Sequence, residues 1–303
     1  MGLMSFLAKL NLISAQLNNR LTHMKRFFVM AVCLFGFSAY SQDDLLSELD
    51  STQVADTHAI AAFKGLQIVT LQTTKMPAAK EVYFVVSHRF GTVKDGISEF
   101  FGLDKATTKI GGVYGVTDWL SVSASRHTLL KVYEVGVKYR LARQSADFPV
   151  DIVGYNTLDI NTFLDKDDYP KLEFGDRLSY ITQFLVSGKV SEKLSLEVIP
   201  SYIHKNLYNP ALENDDQFSL AAGGRMKLTK RLSVNVEYGY NFDKPSFYTN
   251  PLSVGLDIET GGHVFQLLFT NSQAMTEAGY LTNAAGDWGK SDFFFGFNLY
   301  RVF

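Results

Sequence analysis

Alternation of apolar and polar residues with a period of two is the dominant pattern of this chain. Its clearest example is residues 232–242, where Leu, Val, Val, Tyr, Tyr and Phe alternate with Ser, Asn, Glu, Gly and Asn. Residues 133–141 and 194–202 repeat it, with mostly charged or small polar residues on the second face. Because successive side chains of a strand point to opposite faces, each segment predicts a β-strand with one apolar and one polar face.

A short motif recurs between these strands. Residues 116–122, 190–196 and 228–234 each read apolar, Ser or Thr, two further residues, then Leu-Ser and an apolar residue, and we interpret each as a tight hairpin turn. Short turns on one rim and long loops on the other are typical of an outer-membrane barrel, with the short turns in the periplasm. Longer polar segments lie between the turns, near residues 91–106, 158–176, 205–216, 243–251 and 272–290.

The strand pattern predicts an all-β protein, a transmembrane antiparallel β-barrel of about 12 strands, with a range of about 10–14. An even count places both chain ends in the periplasm. The apolar run 66–71 is left over, because including it as a strand would break the parity; it is either an inserted or capping segment, or the count is off by one or two. Strands are expected near residues 81–90, 107–115, 119–127, 132–141, 149–157, 177–188, 194–204, 217–228, 231–242, 252–259, 263–271 and 291–303.

The N-terminal region predicts export. From Met24, a basic pair is followed by the apolar run 27–37 and a small-residue cleavage site that ends at Ser41, as in a secretory signal peptide of a Gram-negative bacterium. Residues 1–23 are then upstream sequence from an early start, and residues 24–41 are the signal peptide. The mature chain begins with a periplasmic segment, residues 42–80, as a plug or cap, and continues as the barrel, residues 81–303.

Composition excludes several other classes of protein. A formal charge of −2 offers no basic surface for nucleic acid. A single cysteine, Cys33, excludes a disulfide framework and a multi-cysteine zinc site. No stretch beyond residue 42 approaches 18 consecutive apolar residues, the length that a membrane-spanning helix needs. An exported, aromatic-rich chain therefore fits outer-membrane lipid best.

The last strand carries a further signal. Residues 293–303 alternate to the terminal Phe303, which resembles the insertion signal read by the barrel-assembly machinery, although Arg301 interrupts the apolar face. In its signal peptide, its strands and several local motifs, the chain resembles a family of membrane-bound β-barrels of unknown function that is common in Bacteroidetes. The resemblance runs from about residue 56 to the end and implies fold and location, but no reaction or substrate. Its motifs are His88-Arg89-Phe90, the segment 115–120, Ser125-Arg126-His127, Ile203-His204-Lys205 and the segment 256–266.

The polar strand face predicts the lining of the lumen. Seven basic and six acidic residues fall on it, so we expect a narrowed, charge-balanced interior in place of an ion-selective pore. Asp159 is assigned to the acidic loop formed by residues 159–176 and not to this face. The candidate residues for a lumen or ligand site are Arg89, Lys109, His127, Glu134, Lys138, Arg140, Arg225, Glu237, Asp257 and Glu259.

Histidines are the remaining candidates for chemistry. His88, His127, His204 and His263 fall at strand ends, His127 pointing inward and the other three toward lipid. They are weak candidates for a metal or haem site, because such a site needs imidazoles that converge. An imidazole in the interfacial aromatic girdle is the simpler interpretation, and no cofactor is predicted.

Three functions stay open. The first is a barrel that transports or binds a small solute of unknown identity among its inward charged residues. The second is an outer-membrane hydrolase acting on lipid, which needs a nucleophile beside a rim histidine, with Ser87 and Ser125 the nearest serines. The third is a structural or scaffolding barrel. No catalytic motif is present, which favours a protein that is not an enzyme. Of the three functions, a barrel that transports or binds a small solute is the one that we favour.

Overall fold

The computed structural model describes residues 62–145, 147–260 and 263–303. The predicted start, the signal peptide, Cys33 and residues 42–61 lie outside the described residues. No helix in the part of the chain that the structure describes is long and apolar enough to cross a membrane.

Twelve antiparallel strands close into one barrel among the described residues, as the alternation predicted. Each strand pairs with its neighbours in the sequence, and the first and last strands close the barrel, with Val85 opposite Tyr300. The strands are β1 (Val82–Thr92), β2 (Ala106–Thr117), β3 (Leu120–His127), β4 (Val132–Ala142), β5 (Asp151–Asn161), β6 (Leu178–Lys189), β7 (Leu194–Lys205), β8 (Asp216–Lys227), β9 (Leu232–Asn241), β10 (Leu252–Thr260), β11 (His263–Thr270) and β12 (Phe294–Val302).

The two rims of the barrel differ. We call the rim where β1 begins the turn rim, because its connections are mostly short, and the opposite rim the loop rim. The loop rim carries the helical turns, of which one, α1 (Glu277–Thr282), is α-helical. The others are short 3-10 helices: Val93–Gly102, Leu129–Lys131, Gly175–Arg177 and Trp288–Lys290.

The recurring motif forms the same turn each time. Its Ser or Thr hydroxyl oxygen accepts a hydrogen bond from the backbone N–H of the Leu three residues later. The distances are 3.1 Å for Thr117 and Leu120, 3.1 Å for Ser191 and Leu194, and 3.0 Å for Thr229 and Leu232. Because this bond occupies a backbone donor that a tight turn leaves free, the motif ends one strand and starts the next.

The two faces of the barrel wall are chemically distinct. Outward side chains are large and apolar, among them Phe84, Val135, Phe184 and Leu220, each more than two-fifths exposed. Inward side chains are largely polar and buried, but β5 to β8 also turn an apolar patch inward, which includes Val153, Ile181, Leu185, Ile199 and Ala221. The outer face suits lipid, and the apolar patch inside requires something to cover it.

Residues 62–76, which we call the plug, cover that patch. Phe63, Ile68, Val69 and Leu71 are almost completely buried in one apolar cluster with the inner wall. The plug is a hairpin in which the Ile68 N–H donates to the Leu71 carbonyl at 2.8 Å. It enters and leaves by the turn rim, since Lys64 contacts Glu259 at the end of β10 and the Lys80 N–H bonds to Gly115 at the end of β2. The leftover run 66–71 is therefore a hairpin inside the barrel.

Two glycines of the wall make room for this segment. A Cβ at Gly115 would lie 1.9 Å from the Ala78 carbonyl oxygen, and a Cβ at Gly223 would lie 2.7 Å from the Ile68 side chain. Both positions therefore need a residue without a side chain. Both glycines lie in strands, and their lack of a side chain lets the N-terminal segment pack against the barrel wall.

Residues 271–293, which we call the inner loop, enter the lumen from the loop rim. Tyr280 and Leu281 of α1 join the same apolar cluster as the plug. The Tyr280 hydroxyl lies 2.7 Å from the Ser253 hydroxyl, and the Gln72 N–H of the plug donates to Glu277 at 3.1 Å. The plug and the inner loop thus meet inside the barrel.

The outward face yields a test of the membrane assignment. We expect Val135→Arg, at an outward position in the middle of β4, to lower the free energy of unfolding in lipid vesicles by about 2–4 kcal/mol, because it places a charge in hydrocarbon. Val135→Leu should change it little. Equal stabilities for V135R and V135L, measured by urea titration, would show that this face does not lie in lipid.

Candidate functional site

Glu237 is the centre of the candidate site. It lies on the inner face in the middle of β9 and is completely buried. Its carboxylate accepts hydrogen bonds from three successive backbone N–H groups of the plug, Val69 at 3.0 Å, Thr70 at 2.9 Å and Leu71 at 3.1 Å. Successive N–H groups that converge form an anion-binding nest, and bonds to an ionised acceptor are stronger than neutral ones. Glu237 is therefore the main polar anchor of the plug.

Neutral side chains of neighbouring strands bind the same hairpin. The Gln266 amide donates to the Ile68 carbonyl at 2.7 Å, and the Asn298 amide donates to the Val69 carbonyl at 2.6 Å. The Tyr300 hydroxyl donates to the Gln67 side chain at 2.7 Å. Buried backbone groups of an irregular segment need such partners, and the wall supplies them.

Four more of the predicted lumen residues contact the plug. Arg89 donates to the Thr70 hydroxyl at 3.3 Å, and Arg140 donates to the Thr74 carbonyl at 3.3 Å. Lys138 donates to the Thr73 carbonyl at 2.9 Å, and Glu259 pairs with Lys64 at 2.9 Å. Together with Glu237, half of the ten residues proposed from the sequence contact the chain's own N-terminal segment.

The other five lie in two groups on the inner wall. Arg225 pairs with Glu259, and its Nε lies 3.9 Å from Asp257. Lys109 donates to Glu134 at 3.0 Å and also to the Met275 carbonyl at 3.2 Å. His127 lies on this side as well and is 2% exposed. The first group is near the turn rim and the second near the loop rim.

The fully buried charged side chains include acids that the sequence analysis did not place on the lumen face. Among the described residues, seven acidic side chains are buried and only four basic ones, Arg89, Lys109, Lys138 and Arg225. Three of these acids are additions to the predicted lining: Asp151 and Asp159 belong to β5, and the inner loop carries Glu277 into the barrel. The seven acidic residues are Glu134, Asp151, Asp159, Glu197, Glu237, Asp257 and Glu277.

A serine and a histidine do meet, but in an arrangement unsuited to a nucleophile. The Ser125 hydroxyl lies 3.0 Å from His127 Nε2 and donates to Glu134 at 3.1 Å. A hydroxyl has one proton, so when Ser125 donates it to Glu134, Nε2 is the donor toward Ser125, and His127 in that tautomer does not act as a base for the serine. Both side chains face the lumen, away from lipid. Ser87 is buried on the inner face while His88 lies on the outer face, stacked on Phe297.

The four candidate histidines do not converge on one another in the described part of the chain. His88 contacts the Thr108 hydroxyl at 2.9 Å, and His263 starts β11 opposite Arg301. Among the described residues, the one group of three side chains placed to share a metal ion is His204 with Asp215 and Asp216, on the loop rim. It contains a single imidazole, so it does not fit a haem ligand pair.

Among the described residues, cavities lie between the wall and the segments that fill the barrel, and two of them bear on the site. The smaller, about 30 Å³, lies between the plug and β2 to β4 and has room for one or two water molecules. The larger, about 420 Å³, lies on the loop-rim side, between the wall and the inner loop, and we call it the vestibule. Its polar lining includes His127, Asp159, Asn161, Arg177, Ser179, Lys205, Glu213, Gln273, Thr276 and Asn283.

Glu277 links the inner loop to the plug and is the titratable group of that contact. Burial raises its pKa to about 8, and the nearby charge of Glu134 adds to the effect. One of its oxygens accepts the Gln72 N–H, while the other has no hydrogen-bond partner. A protonated carboxyl retains its carbonyl acceptor, so the bond to Gln72 is compatible with the neutral form.

The match to a family model decides the identity of the fold. The model described as "Membrane bound beta barrel domain (DUF5777)" matches residues 63–303, which is most of the chain. The chain belongs to this family. The matched residues include the plug as well as all twelve strands. That the protein comes from a member of the Bacteroidetes stays a prediction.

Several solved structures are similar to this chain at low sequence identity. The NanC porin is 10% identical, with a TM-score of 0.47 over 73% of this chain and 98% of that one. The KdgM porin is 10% identical, with a TM-score of 0.46 over 74% and 99%. The COG4313 outer membrane channel from Pseudomonas putida F1 is 15% identical, with a TM-score of 0.45 over 76% and 97%. No curated protein matches the chain.

The sequence analysis missed the contribution of the loop rim to the site. The sequence pattern places Asp159 in a loop, and it places the residues of α1 in a polar connection that predicts no role for them. A weak signal was present in Thr276, which caps α1 by accepting the Gly279 N–H at 3.0 Å. A helix of six residues gives too little periodicity to predict which face is buried.

The Glu237 contact yields a test by hydrogen exchange. We expect Glu237→Gln to speed amide exchange at Val69, Thr70 and Leu71 at least tenfold, about 1.4 kcal/mol, because an amide offers one acceptor oxygen to three donors. Glu197→Gln is the matched control, since Glu197 is an equally buried inward carboxyl with no hydrogen-bond partner. Exchange at these amides that is the same in both variants would exclude Glu237 as the anchor.

The raised pKa of Glu277 predicts the direction of a pH effect. The folded state holds this proton more tightly than the unfolded chain, so the free energy of unfolding should fall as pH rises from about 4.5 to 8. The slope contributed by one such group is about 1.4 kcal/mol per pH unit. Glu277→Gln should remove that contribution, so the variant gains stability relative to the unmodified protein between pH 5 and 8. Glu99→Gln, an exposed control, should give parallel curves.

Proposed function

We propose that this protein is an outer-membrane barrel that handles a small solute, with a lumen that its own plug closes at rest. The observation that carries the proposal is that polar wall residues, above all Glu237, bind the backbone of the plug. An open lumen of this barrel would present the same residues to a solute. The plug thus occupies the place that a solute would take.

The chemistry of the contact supports a plug that moves. Arg89, Lys138, Glu237, Gln266 and Asn298 all bind the hairpin through hydrogen bonds, which water can replace when the plug leaves. The apolar patch of β5 to β8 gives the closed state its additional stability.

The proposed orientation follows from the rims. We place the turn rim and both barrel ends in the periplasm and the loop rim outside the cell, as in bacterial barrels with short periplasmic turns. The plug then enters from the periplasm, and the vestibule opens to the exterior. A solute from outside would reach the vestibule before it met the inner loop and the plug.

Conductance in planar bilayers tests the closed lumen. We expect the intact protein to show little or no steady conductance, because the space beside the plug is about 30 Å³. Removing residues 42–76 should raise it, and Glu237→Gln should produce intermittent openings. Large, stable channels in the intact protein would contradict the proposal.

A reversible cross-link supplies the control. The Thr74 and Ser187 hydroxyl oxygens lie 2.5 Å apart, so T74C with S187C would tie the plug to β6. Added to E237Q, the oxidised pair should abolish the openings and a reductant should restore them. Openings that persist in the oxidised protein would show that they do not pass through the lumen vacated by the plug.

A further inference from the structure

Asp159 is a buried carboxyl that forms no ion pair with a cation of the described residues. It lies at the loop-rim end of β5, is 7% exposed and lines the vestibule. One of its carboxyl oxygens has no hydrogen-bond partner. The carboxyl group does form a hydrogen bond with the neutral Thr276 hydroxyl. Among the ion pairs of the described residues, none includes Asp159. A buried acid with an unfilled oxygen facing a cavity indicates a missing partner.

The neighbours of Asp159 increase the local negative charge. Glu134 lies directly opposite it on β4, and both side chains point inward. Like charges in this cross-strand position destabilise a sheet. Lys109 is the closest compensating cation, but it already binds Glu134 at 3.0 Å and the Met275 carbonyl at 3.2 Å. Lys109 therefore balances one of the two carboxyls.

The other cations of the vestibule are also engaged. Lys205 donates to Glu213 at 2.9 Å and to Asn283 at 3.3 Å. Arg177 donates to the carbonyls of Asn161 and Leu164, at 3.1 Å and 2.6 Å. Neither forms an ion pair with Asp159. Among the described residues that line the vestibule, no cation is left free to complement Asp159.

The vestibule has the size and lining for an organic ligand. Its volume, about 420 Å³, is within the range of small-molecule sites. Met275 and Phe294 line it with apolar surface, while Gln273, Thr276 and Asn283 offer neutral polar groups. A bare metal ion fits poorly, because Asp159 is not part of a group of three metal-ligating side chains among the described residues.

We propose that the vestibule binds a small organic cation, with its ammonium group on Asp159 and its carbon skeleton between the inner loop and the wall. The inference deepens the proposed function, on which it rests, by naming the class of solute. Glu134 adds to the attraction, and Lys109 holds Glu134 in place. The ligand would occupy the first compartment that an external solute reaches.

Calorimetry of the purified protein in detergent tests this, with n-butylammonium as the probe and 1-butanol and butyrate as uncharged and anionic controls of the same chain length. We expect saturable binding of the ammonium alone. Asp159→Asn should weaken it at least tenfold, and Asp159→Glu, which keeps the charge, should retain most of it. Asp151→Asn, a buried acid at the other end of β5, should bind as the unmodified protein does.

Several outcomes would overturn the inference: no binding of butylammonium, equal binding of butanol or butyrate, or D159N that binds as tightly as D151N. Heat-modifiable mobility on gels confirms that each variant forms a barrel. Because the assay does not require the plug to move, its failure leaves the conductance results unchanged. Channels in the intact protein would sink the proposed function while leaving binding at Asp159 intact.

Discussion

The bond between the Glu237 carboxylate and three backbone N–H groups of the plug is the interaction on which the interior depends. A carboxylate without partners in the middle of a barrel would cost several kcal/mol, and so would three buried N–H groups without acceptors. The hydrogen bonds between the carboxylate and the three N–H groups remove both costs. The plug can therefore turn sharply at residues 68–71 in the middle of the barrel without leaving its backbone unpaired.

The closed barrel makes this bond possible because it fixes where each inward residue stands. Antiparallel register places Asn298 opposite Gln266, and Gln266 in turn opposite Asp257. These three side chains form a hydrogen-bonded row, with Asn298 donating to Gln266 at 2.7 Å and Gln266 to Asp257 at 2.6 Å. A row of this kind presents fixed donors to the plug. The same rigidity holds Glu134 opposite Asp159, where no partner compensates both.

The interior has two levels with different chemistry. Toward the turn rim, most basic and acidic residues have partners within the protein, Glu197 being an exception, and the plug fills the space. Toward the loop rim, carboxyls outnumber the available cations and a cavity of about 420 Å³ remains. A barrel that selected a solute at one level and controlled its passage at the other would need this division, because binding requires an open space and closure requires a filled one.

The sequence by itself determined the barrel. Alternation set each strand and its faces, and the Ser or Thr of each repeated motif set the turns, because these are local features with a period of two and a hydrogen bond across three residues. Only the tertiary structure decided what fills the lumen. The run 66–71 is apolar enough for a strand, and its place as a hairpin depends on Glu237, Gly223 and Asn298, which are distant in sequence. The vestibule likewise depends on the inner loop, which forms one of its walls and whose entry into the barrel no local pattern encodes.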